Sequence, residues 1–241
     1  MTQQPTTELD LELSHLDAEY RRRDSGGVSA NRYVPFDESA LQHFHSLERH
    51  LLALLKRHNF ANLAEKRILD VGCGSGTLLR RFLEYGALPV NLSGIDLMTH
   101  RIELARALHP IIDWQVGSAH QLPYPDSSFD LVMSFVLFSS ILSEPFRQKI
   151  AYEMWRVRKP GGLLLFYDFA YSNPRNPAVR GITRRQVQQL FNRPGARFDF
   201  RRITLAPPIS RLVAPQAYWL ASTLEQLKIF NTHAIGIISL D

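Results

Sequence analysis

A short glycine-rich segment in the first third of the chain constrains the fold more than any other feature. It reads Arg67-Ile-Leu-Asp-Val-Gly-Cys-Gly-Ser-Gly-Thr77. The apolar start predicts a buried strand, and the pattern after Thr77 becomes helical, so the glycines lie on a strand-to-helix turn. Glycine tolerates positive φ and has no Cβ, which lets a ligand lie directly against the backbone. A dinucleotide fingerprint, G-x-G-x-x-G, would need its third glycine at position 77, where this chain has Thr.

A carboxylate ends the next predicted strand. Leu92-Ser-Gly-Ile-Asp96 closes 20 residues beyond Gly76. An ionised Asp only accepts hydrogen bonds, so Asp96 suits the two hydroxyl donors of a ribose. The alternative is a helix cap, a place where Asp is common. Because Asp96 occurs together with the glycine turn, we expect it to bind a ribose.

Apolar runs and helical stretches alternate from residue 39 onward. This alternation predicts an α/β, Rossmann-like, doubly wound and mostly parallel sheet of seven strands. An amphipathic helix over residues 39–58 precedes the sheet. We expect strands near 67–71, 92–96, 112–116, 129–135, 162–168, 198–205 and 233–240, and helices near 77–85, 99–108, 144–157, 183–191 and 215–228. We expect two parts, an N-terminal extension with a capping helix over 1–60 and one domain over 61–241.

Composition limits the class of protein. The chain has 241 residues, 45% hydrophobic and 21% charged, which is ordinary for a globular enzyme. The net charge of +5 comes from dispersed basic residues. They indicate a solvated face or an anionic or lipid-linked partner rather than nucleic acid.

The sole cysteine, Cys73, is expected to fill the turn. Four histidines on the first helix have no converging carboxylate or thiol, so no metal site is expected.

Two sequence features are used to predict the cellular location of the protein. The N-terminus lacks the basic and apolar regions of a signal peptide. The longest apolar run, residues 131–142, is too short to cross a bilayer. We therefore expect a cytoplasmic protein. The sequence does not indicate an oligomeric state.

Two later blocks extend the pattern of the glycine turn and Asp96. One runs from Val116 to Val132, and the other is Arg156-Val-Arg-Lys-Pro-Gly-Gly-Leu-Leu-Leu-Phe166. In order and interval, the four blocks resemble class I S-adenosylmethionine (SAM)-dependent methyltransferases over about residues 65–170. The resemblance implies SAM as cofactor and N-terminal helices that cap it. It implies that the cofactor is bound by Asp70, Gly72, Cys73, Gly74, Gly76, Asp96, Leu97, Ser118, Ala119, Ser134 and Phe135. Ser118 departs from the family, in which many members have an Asp facing the adenine amino group.

Other segments resemble bacterial methyltransferases associated with surface-polysaccharide and glycosyltransferase loci. They are Tyr20–Asp24, Phe138–Leu142, Tyr167–Phe169, Asn173–Ile182 and Thr204–Pro208. This resemblance implies a small-molecule or glycan acceptor. From the family architecture, Arg32 and Tyr33 are expected to close one side of the cofactor pocket.

Ligands of doubly wound sheets bind outside the carboxyl ends of the strands, which places the acceptor near the ends of the fourth and fifth strands. Methyl transfer to a hydroxyl needs a proton acceptor. Asp168 is the first candidate base, with a structural hydrogen-bonding role as its alternative. His120 is the second, with a surface helix position as its alternative. We expect the acceptor to contact Tyr167, Tyr171, Asn173 and Arg175.

Three functions are consistent with the sequence. The first is methylation of an oxygen or nitrogen of a small molecule or glycan. The second is methylation of RNA or protein, which is disfavoured because Ser134-Phe135-Val136-Leu137 stands where an Asn/Asp-Pro-Pro-aromatic motif would hold a planar amine. The third is a non-enzymatic SAM-binding module, which is disfavoured because the glycines and Asp96 are intact.

Overall fold

The computed structural model describes residues 14, 16, 18–22, 36–172 and 178–240. Its centre is one seven-stranded sheet in the order β3-β2-β1-β4-β5-β7-β6. The strands are β1 Ile68–Val71, β2 Leu92–Asp96, β3 Asp113–Val116, β4 Phe129–Phe135, β5 Arg158–Phe169, β6 Ala196–Leu205 and β7 Asn231–Leu240. The first five are parallel, and β7 is antiparallel to both β5 and β6. The predicted doubly wound, mostly parallel sheet is confirmed.

Seven α-helices flank the sheet in the part of the chain from residue 36 onward. They are α1 Glu38–Arg57, α2 Thr77–Glu84, α3 Thr99–Leu108, α4 Glu144–Val157, α5 Arg184–Leu190, α6 Pro207–Val213 and α7 Tyr218–Gln226. Residues 18–22, near the N-terminus, are also helical. The sequence predicts all seven α-helices except α6, and the helical residues 18–22 agree with the N-terminal helices that the resemblance implies. No helix among the described residues is long and apolar enough to cross a membrane.

The direction of the strands determines where a ligand can bind. β1, β2, β4 and β5 all end at the same edge of the sheet, which we call the carboxyl edge. Because β6 and β5 both run antiparallel to β7, β6 also ends at this edge. The connection from β6 to β7, which contains α6 and α7, therefore lies at the carboxyl edge together with the glycine turn.

Helix α1 packs into the core rather than lying apart as an extension. Leu47, Leu51 and Leu54 are buried in the same apolar cluster as strands β1 and β7. Asp37 caps the helix by accepting a hydrogen bond from the N–H of Ala40 at 2.8 Å. The proposed boundary between residues 60 and 61 stays a prediction.

A polar stripe on α1 is also buried, which the sequence did not indicate. Gln42 and Ser46 donate hydrogen bonds to the carboxylate of Glu225 on α7. Glu225 itself is 3% exposed, so α1 and α7 are joined through a buried carboxylate. Such a group stays inside because its oxygens are hydrogen-bonded.

The indole of Trp114 explains why position 76 is glycine. A Cβ at Gly76 would lie 2.2 Å from the ring of Trp114, and φ there is +75°. We expect Gly76→Ala to lower the free energy of unfolding by about 2–4 kcal/mol, because it adds a clash to an unfavourable backbone angle. Gly86→Ala is the control: φ is +93°, but nothing lies within 4 Å of its Cβ, so only about 1 kcal/mol is expected.

Urea denaturation measures both variants. Combining Gly76→Ala with Trp114→Phe should recover part of the loss, because the smaller ring no longer reaches the new methyl group. Equal losses for Gly76→Ala and Gly86→Ala would contradict the packing role of Trp114.

Candidate functional site

The glycine turn after β1 is held against β2 by backbone hydrogen bonds. The N–H groups of Gly72 and Cys73 both donate to the carbonyl of Ile95, at 2.8 and 3.1 Å. Gly72, Gly74 and Gly76 have φ of +78°, +55° and +75°. L-residues rarely adopt such angles, so glycine is required at each of the three positions.

The three glycines have different surroundings. A Cβ on Gly72 would come within 2.9 Å of the Leu137 side chain, and both residues line a cleft at the carboxyl edge. Gly74 has open space where its Cβ would be, and Gly76 packs against Trp114. Gly76 thus has a packing role in the core, and contact of all three glycines with the ligand stays a prediction.

The cleft combines backbone, carboxylate and apolar side chains. We call it the main cleft. It is lined by Leu16, Tyr20, Gly72, Ile95, Asp96, Leu97, Arg101, Gly117, Ser118, Ala119, Phe135, Val136, Leu137, Ser140, Ile141, Phe146 and Ile150. The structure thus brings together six of the residues predicted to bind the cofactor: Gly72, Asp96, Leu97, Ser118, Ala119 and Phe135.

Asp96 serves both as a local cap and as part of the cleft wall. Its Oδ2 accepts from the N–H of Gly74 at 2.8 Å, and its Oδ1 accepts from the N–H of Met98 at 2.9 Å. Each carboxylate oxygen has a second acceptor position. The capping role and the ribose role are therefore compatible.

A second carboxyl group lies buried close to Asp96. Asp70 is 2% exposed, and its Oδ1 has no hydrogen-bond partner among the described residues. Burial, and then the charge of Asp96, raises the pKa of Asp70 to about 8. An unpartnered buried oxygen beside a second carboxylate favours a cationic or donating ligand group. SAM offers an α-amino group of this kind and a ribose diol, so these residues fit that cofactor.

The turn after β3 supplies the wall beside Asp96. The N–H of Gly117 donates to the backbone carbonyl of Asp96 at 3.0 Å. The hydroxyl of Ser118 and Nδ1 of His120 lie 2.6 Å apart. The His120 ring packs against Phe146 with a centroid separation of 5.2 Å. Burial, and then the charge of Lys149, lowers the pKa of His120.

The N-terminal helical residues form one wall of the main cleft, as the resemblance implied, although the sequence analysis did not single out the two that do so. Leu16 and Tyr20 line the main cleft. The guanidinium of Arg101, on α3, lies 4.5 Å from the centre of the Tyr20 ring. The i, i+4 spacing of Leu16 and Tyr20 was the available signal, since such a pair lies on one helix face. Arg32 and Tyr33, expected to close this side, fall outside the described residues.

The end of β4 contributes two residues to the cleft. Phe135 and Val136 line it, and the N–H of Val136 donates to the carbonyl of Tyr167 at 2.8 Å. Val136 has φ of +54°, an unfavourable angle for a β-branched residue. Ser134 is buried, and its hydroxyl has no partner among the described residues. It lies behind the wall rather than in it.

Cys73 has the packing role expected of it. Its thiol is buried in the core cluster and lies 3.5 Å from the carbonyl of Gly74. Burial, and then the charges of Asp70 and Asp96, raises its pKa. A raised pKa keeps the thiol protonated, and a protonated thiol is a poor nucleophile.

Asp168, the first candidate base, is buried away from the main cleft, and its role toward the acceptor stays a prediction. The side chain is 0% exposed, and it does not line the main cleft. Its Oδ2 accepts from the N–H of Ser139 at 2.9 Å, and its Oδ1 accepts from the N–H of Phe169 at 2.7 Å. Burial raises the pKa of Asp168 to about 6, against these hydrogen bonds and the charge of Arg147. Both oxygens are used in holding the loops after β4 and β5.

Tyr167 also lies away from the main cleft, and its expected contact with the acceptor stays a prediction. It is 2% exposed, and its ring stacks on His233 with centroids 5.1 Å apart. Its hydroxyl lies 3.4 Å from Nε2 of His43 and 3.3 Å from the hydroxyl of Thr204. Side chains alternate between faces along a strand, so Tyr167 and Asp168 point to opposite layers.

Tyr171 is exposed, and Arg202 lies 4.6 Å from the centre of its ring. Asn173 and Arg175 fall outside the described residues, so their proposed contacts with the acceptor stay predictions.

Comparison with known proteins agrees with this geometry. Residues 68–162 match the model of the methyltransferase domain family. The chain is 34% identical over 135 residues to a demethylmenaquinone methyltransferase of Deinococcus radiodurans, covering 54% of each protein. It is 36% identical over 114 residues to a fatty-acid O-methyltransferase of Mycolicibacterium smegmatis, covering 45% of this chain and 39% of that one. The chain thus spans about half or less of the length of these relatives.

The fold also matches solved structures. A SAM-dependent methyltransferase from Mesorhizobium loti superposes with a TM-score of 0.59 at 19% identity, covering 80% of this chain and 96% of that one. At this identity the likeness concerns the fold alone.

The buried position of Asp168 gives a testable expectation. Asp168→Asn should lower the free energy of unfolding by about 1–3 kcal/mol, because an amide offers one acceptor oxygen to two backbone N–H groups. Asp126→Asn is the matched control: Asp126 is 77% exposed in its ion pair with Arg156, and a change of about 0.5 kcal/mol or less is expected. Chemical denaturation at neutral pH measures both. An Asp168→Asn protein that is as stable as the parent but inactive would restore Asp168 as a candidate base.

Proposed function

We propose that this chain, which carries a class I SAM-dependent methyltransferase domain, transfers a methyl group from SAM to an oxygen or nitrogen atom of a small organic acceptor. The observation that carries the proposal is the carboxylate of Asp96 in the cleft wall beside the glycine turn. It retains acceptor positions after capping Gly74 and Met98. A glycan acceptor is part of the same proposal and is distinguished by the acceptors tested.

The residues that would hold SAM differ in chemistry along the cleft. Asp96 would accept from the ribose hydroxyls, and Asp70 would face the amino end. Leu97, Ser118 and Ala119 would surround the adenine. Because Ser118 is already hydrogen-bonded to His120, the adenine ring would depend on backbone groups and apolar contact.

When bound, SAM supplies an electrophilic methyl group on a sulfonium, so this chain needs no covalent intermediate. The work of the protein is to orient the acceptor and to exclude water. Leu137, Ile141, Phe146 and Ile150 give the main cleft a continuous apolar wall for this purpose. The aromatic ring of Phe135, at the end of β4, forms the boundary toward the predicted acceptor side.

The proton released by a hydroxyl acceptor needs a receiving group. Asp168 is withdrawn from this role by its packing, which leaves His120 as the candidate. His120 contacts Ser118 and Phe146, and both of these residues line the cleft. Its lowered pKa keeps the imidazole neutral at pH 7, as a proton acceptor must be.

The cofactor assignment is tested first by calorimetry. The protein is expected to bind SAM and S-adenosylhomocysteine, and not NAD. Asp96→Ala should weaken SAM binding by roughly 1–3 kcal/mol, because two hydroxyls lose a charged acceptor. Asp113→Ala is the control, since it removes an exposed carboxylate from the neighbouring strand. Unchanged SAM affinity for a folded Asp96→Ala protein would show that Asp96 is only a cap.

The role of His120 predicts a pH dependence. A base acts in its neutral form, so kcat/KM should fall as the pH drops through the pKa of His120, which lies below the ordinary 6.5. The Lys149 charge contributes to this lowering, so Lys149→Met should move the acidic limb to higher pH, while Lys149→Arg should leave it in place. The assay uses a panel of fatty acids, phenols, amines and hydroxylated sugars. If His120→Asn keeps both the rate and the acidic limb, His120 is not the base.

A further inference from the structure

The connection between β6 and β7 carries an unusual amount of exposed apolar surface. Trp219 is 71% exposed, and Leu212 and Ile229 are each 69% exposed. We call the whole set the α7 apolar face: Leu212, Trp219, Leu220, Leu227, Ile229 and Phe230. Six large apolar side chains exposed within 19 residues are more than the scattered single residues of an ordinary surface.

Helical geometry places part of this set on one stripe. Leu220 and Leu227, the residue that follows the helix, are seven residues apart and so fall on one line along the helix axis, whereas Trp219 lies about 100° to one side of that line. The opposite side of the helix packs against the rest of the protein, since Ala221 and Glu225 are buried. The outer side of α7 therefore exposes large apolar side chains beside two exposed polar ones, although the inner side already packs on the core.

The exposed charges of this connection have one sign. Between residues 206 and 230 the charged residues are Arg211, Glu225 and Lys228. Glu225 is buried against α1, whereas Arg211 and Lys228 are exposed. The surface that remains combines apolar side chains with two cations, one on α6 and one after α7, and apolar area together with positive charge favours binding to anionic membranes.

Symmetric pairing with a second copy of this chain fits the charges less well. In a two-fold interface the same patch meets itself. Arg211 and Lys228 would then approach their own copies without an exposed carboxylate from the same connection. Anionic lipid headgroups, in contrast, complement both cations.

We propose that the α7 apolar face docks onto an anionic lipid bilayer, with Trp219, Leu212 and Ile229 at the level of the headgroups. The connection lies at the carboxyl edge, where the main cleft also opens. Docking would therefore bring the cleft edge toward the membrane. The inference concerns membrane association and does not depend on the proposed methyl transfer.

The fluorescence of Trp219 can report directly on docking to a membrane. The chain has three tryptophans, and the other two, Trp114 and Trp155, are buried at 2% and 4% exposure. Vesicles of phosphatidylcholine mixed with phosphatidylglycerol should shift the emission of the full chain to shorter wavelength and protect it from acrylamide. Vesicles of phosphatidylcholine alone should have a smaller effect, and added salt should weaken binding to the anionic vesicles.

A matched pair of variants separates docking from general hydrophobicity. Ile229→Ser should reduce co-sedimentation with anionic vesicles by about tenfold, because an apolar side chain no longer enters the interface. Ile111→Ser removes a side chain of nearly equal exposure, 65%, just before β3 at the opposite edge of the sheet, and should leave binding unchanged. Arg211→Glu combined with Lys228→Glu should remove the preference for anionic lipid.

Three results would overturn the proposal. One is the absence of any emission shift with anionic vesicles. Another is an equal effect of Ile229→Ser and Ile111→Ser. The third is a concentration-dependent shift without vesicles, accompanied by dimers in sedimentation velocity, which would assign the face to a second copy. SAM affinity, measured on the same variants, should stay unchanged, so failure of docking is distinct from failure of the cofactor assignment.

Discussion

The carboxylate of Asp96 is the interaction on which the geometry of the site depends. It joins the N–H of Gly74, in the turn after β1, to the N–H of Met98, before α3. The backbone carbonyl of the same residue accepts from Gly117 after β3. One residue thus fixes the loops that follow three adjacent strands, and its remaining acceptor positions stay available to the cleft. Asp70 is buried close to this carboxylate, and burial together with the charge of Asp96 raises the pKa of Asp70 to about 8.

A second carboxylate organises the opposite wall. Asp168 accepts from the N–H of Ser139, and the carbonyl of Ser139 in turn accepts from the N–H of Arg180. The buried guanidinium of Arg147 donates to the carbonyl of Ile141 at 2.8 Å, and Ile141 lines the cleft. A buried charge needs hydrogen bonds and an opposite charge, and this cluster supplies both. The hydrogen bonds of Asp168 and Arg147 therefore hold the loop after β4 in place beside the cleft.

The parts of the fold that could be predicted are those set by local pattern. β1, β2 and β4 follow from short apolar runs, and the positive φ of the glycine turn follows from its spacing. β5 is longer than predicted, starting at Arg158: Gly161 and Gly162 interrupt the apolar pattern, but pairing with β4 continues across them with a shift in register, and φ of Gly161 is +73°. Helix α6 was missed because it has seven residues and begins at a Pro pair, too short for a periodic pattern.

The parts of the site that could not be predicted depend on contacts between distant residues. Asp168 and Tyr167 are adjacent in sequence, and the position of β5 in the sheet correctly placed both at the carboxyl edge. The strand register determines which face of the sheet each side chain points to. Contacts with Ser139 and His43 then determine whether the side chain is buried on that face or reaches the cleft. Neither contact has a signal in sequence spacing. Tyr20 was missed for a related reason, since its partner Arg101 is about 80 residues away.

The orientation of α7 follows from the same kind of long-range contact. Its sequence is apolar on more than one side, so hydrophobic pattern alone does not say which side faces the core. Glu225 decides this, because its carboxylate accepts from Gln42 and Ser46 of α1 and from the N–H of Thr204, and it also pairs with Arg49 of α1 at 3.7 Å. Burying that carboxylate turns Trp219 and Leu220 outward. A polar contact in the interior thus determines which apolar residues the protein presents at the edge where its cleft opens.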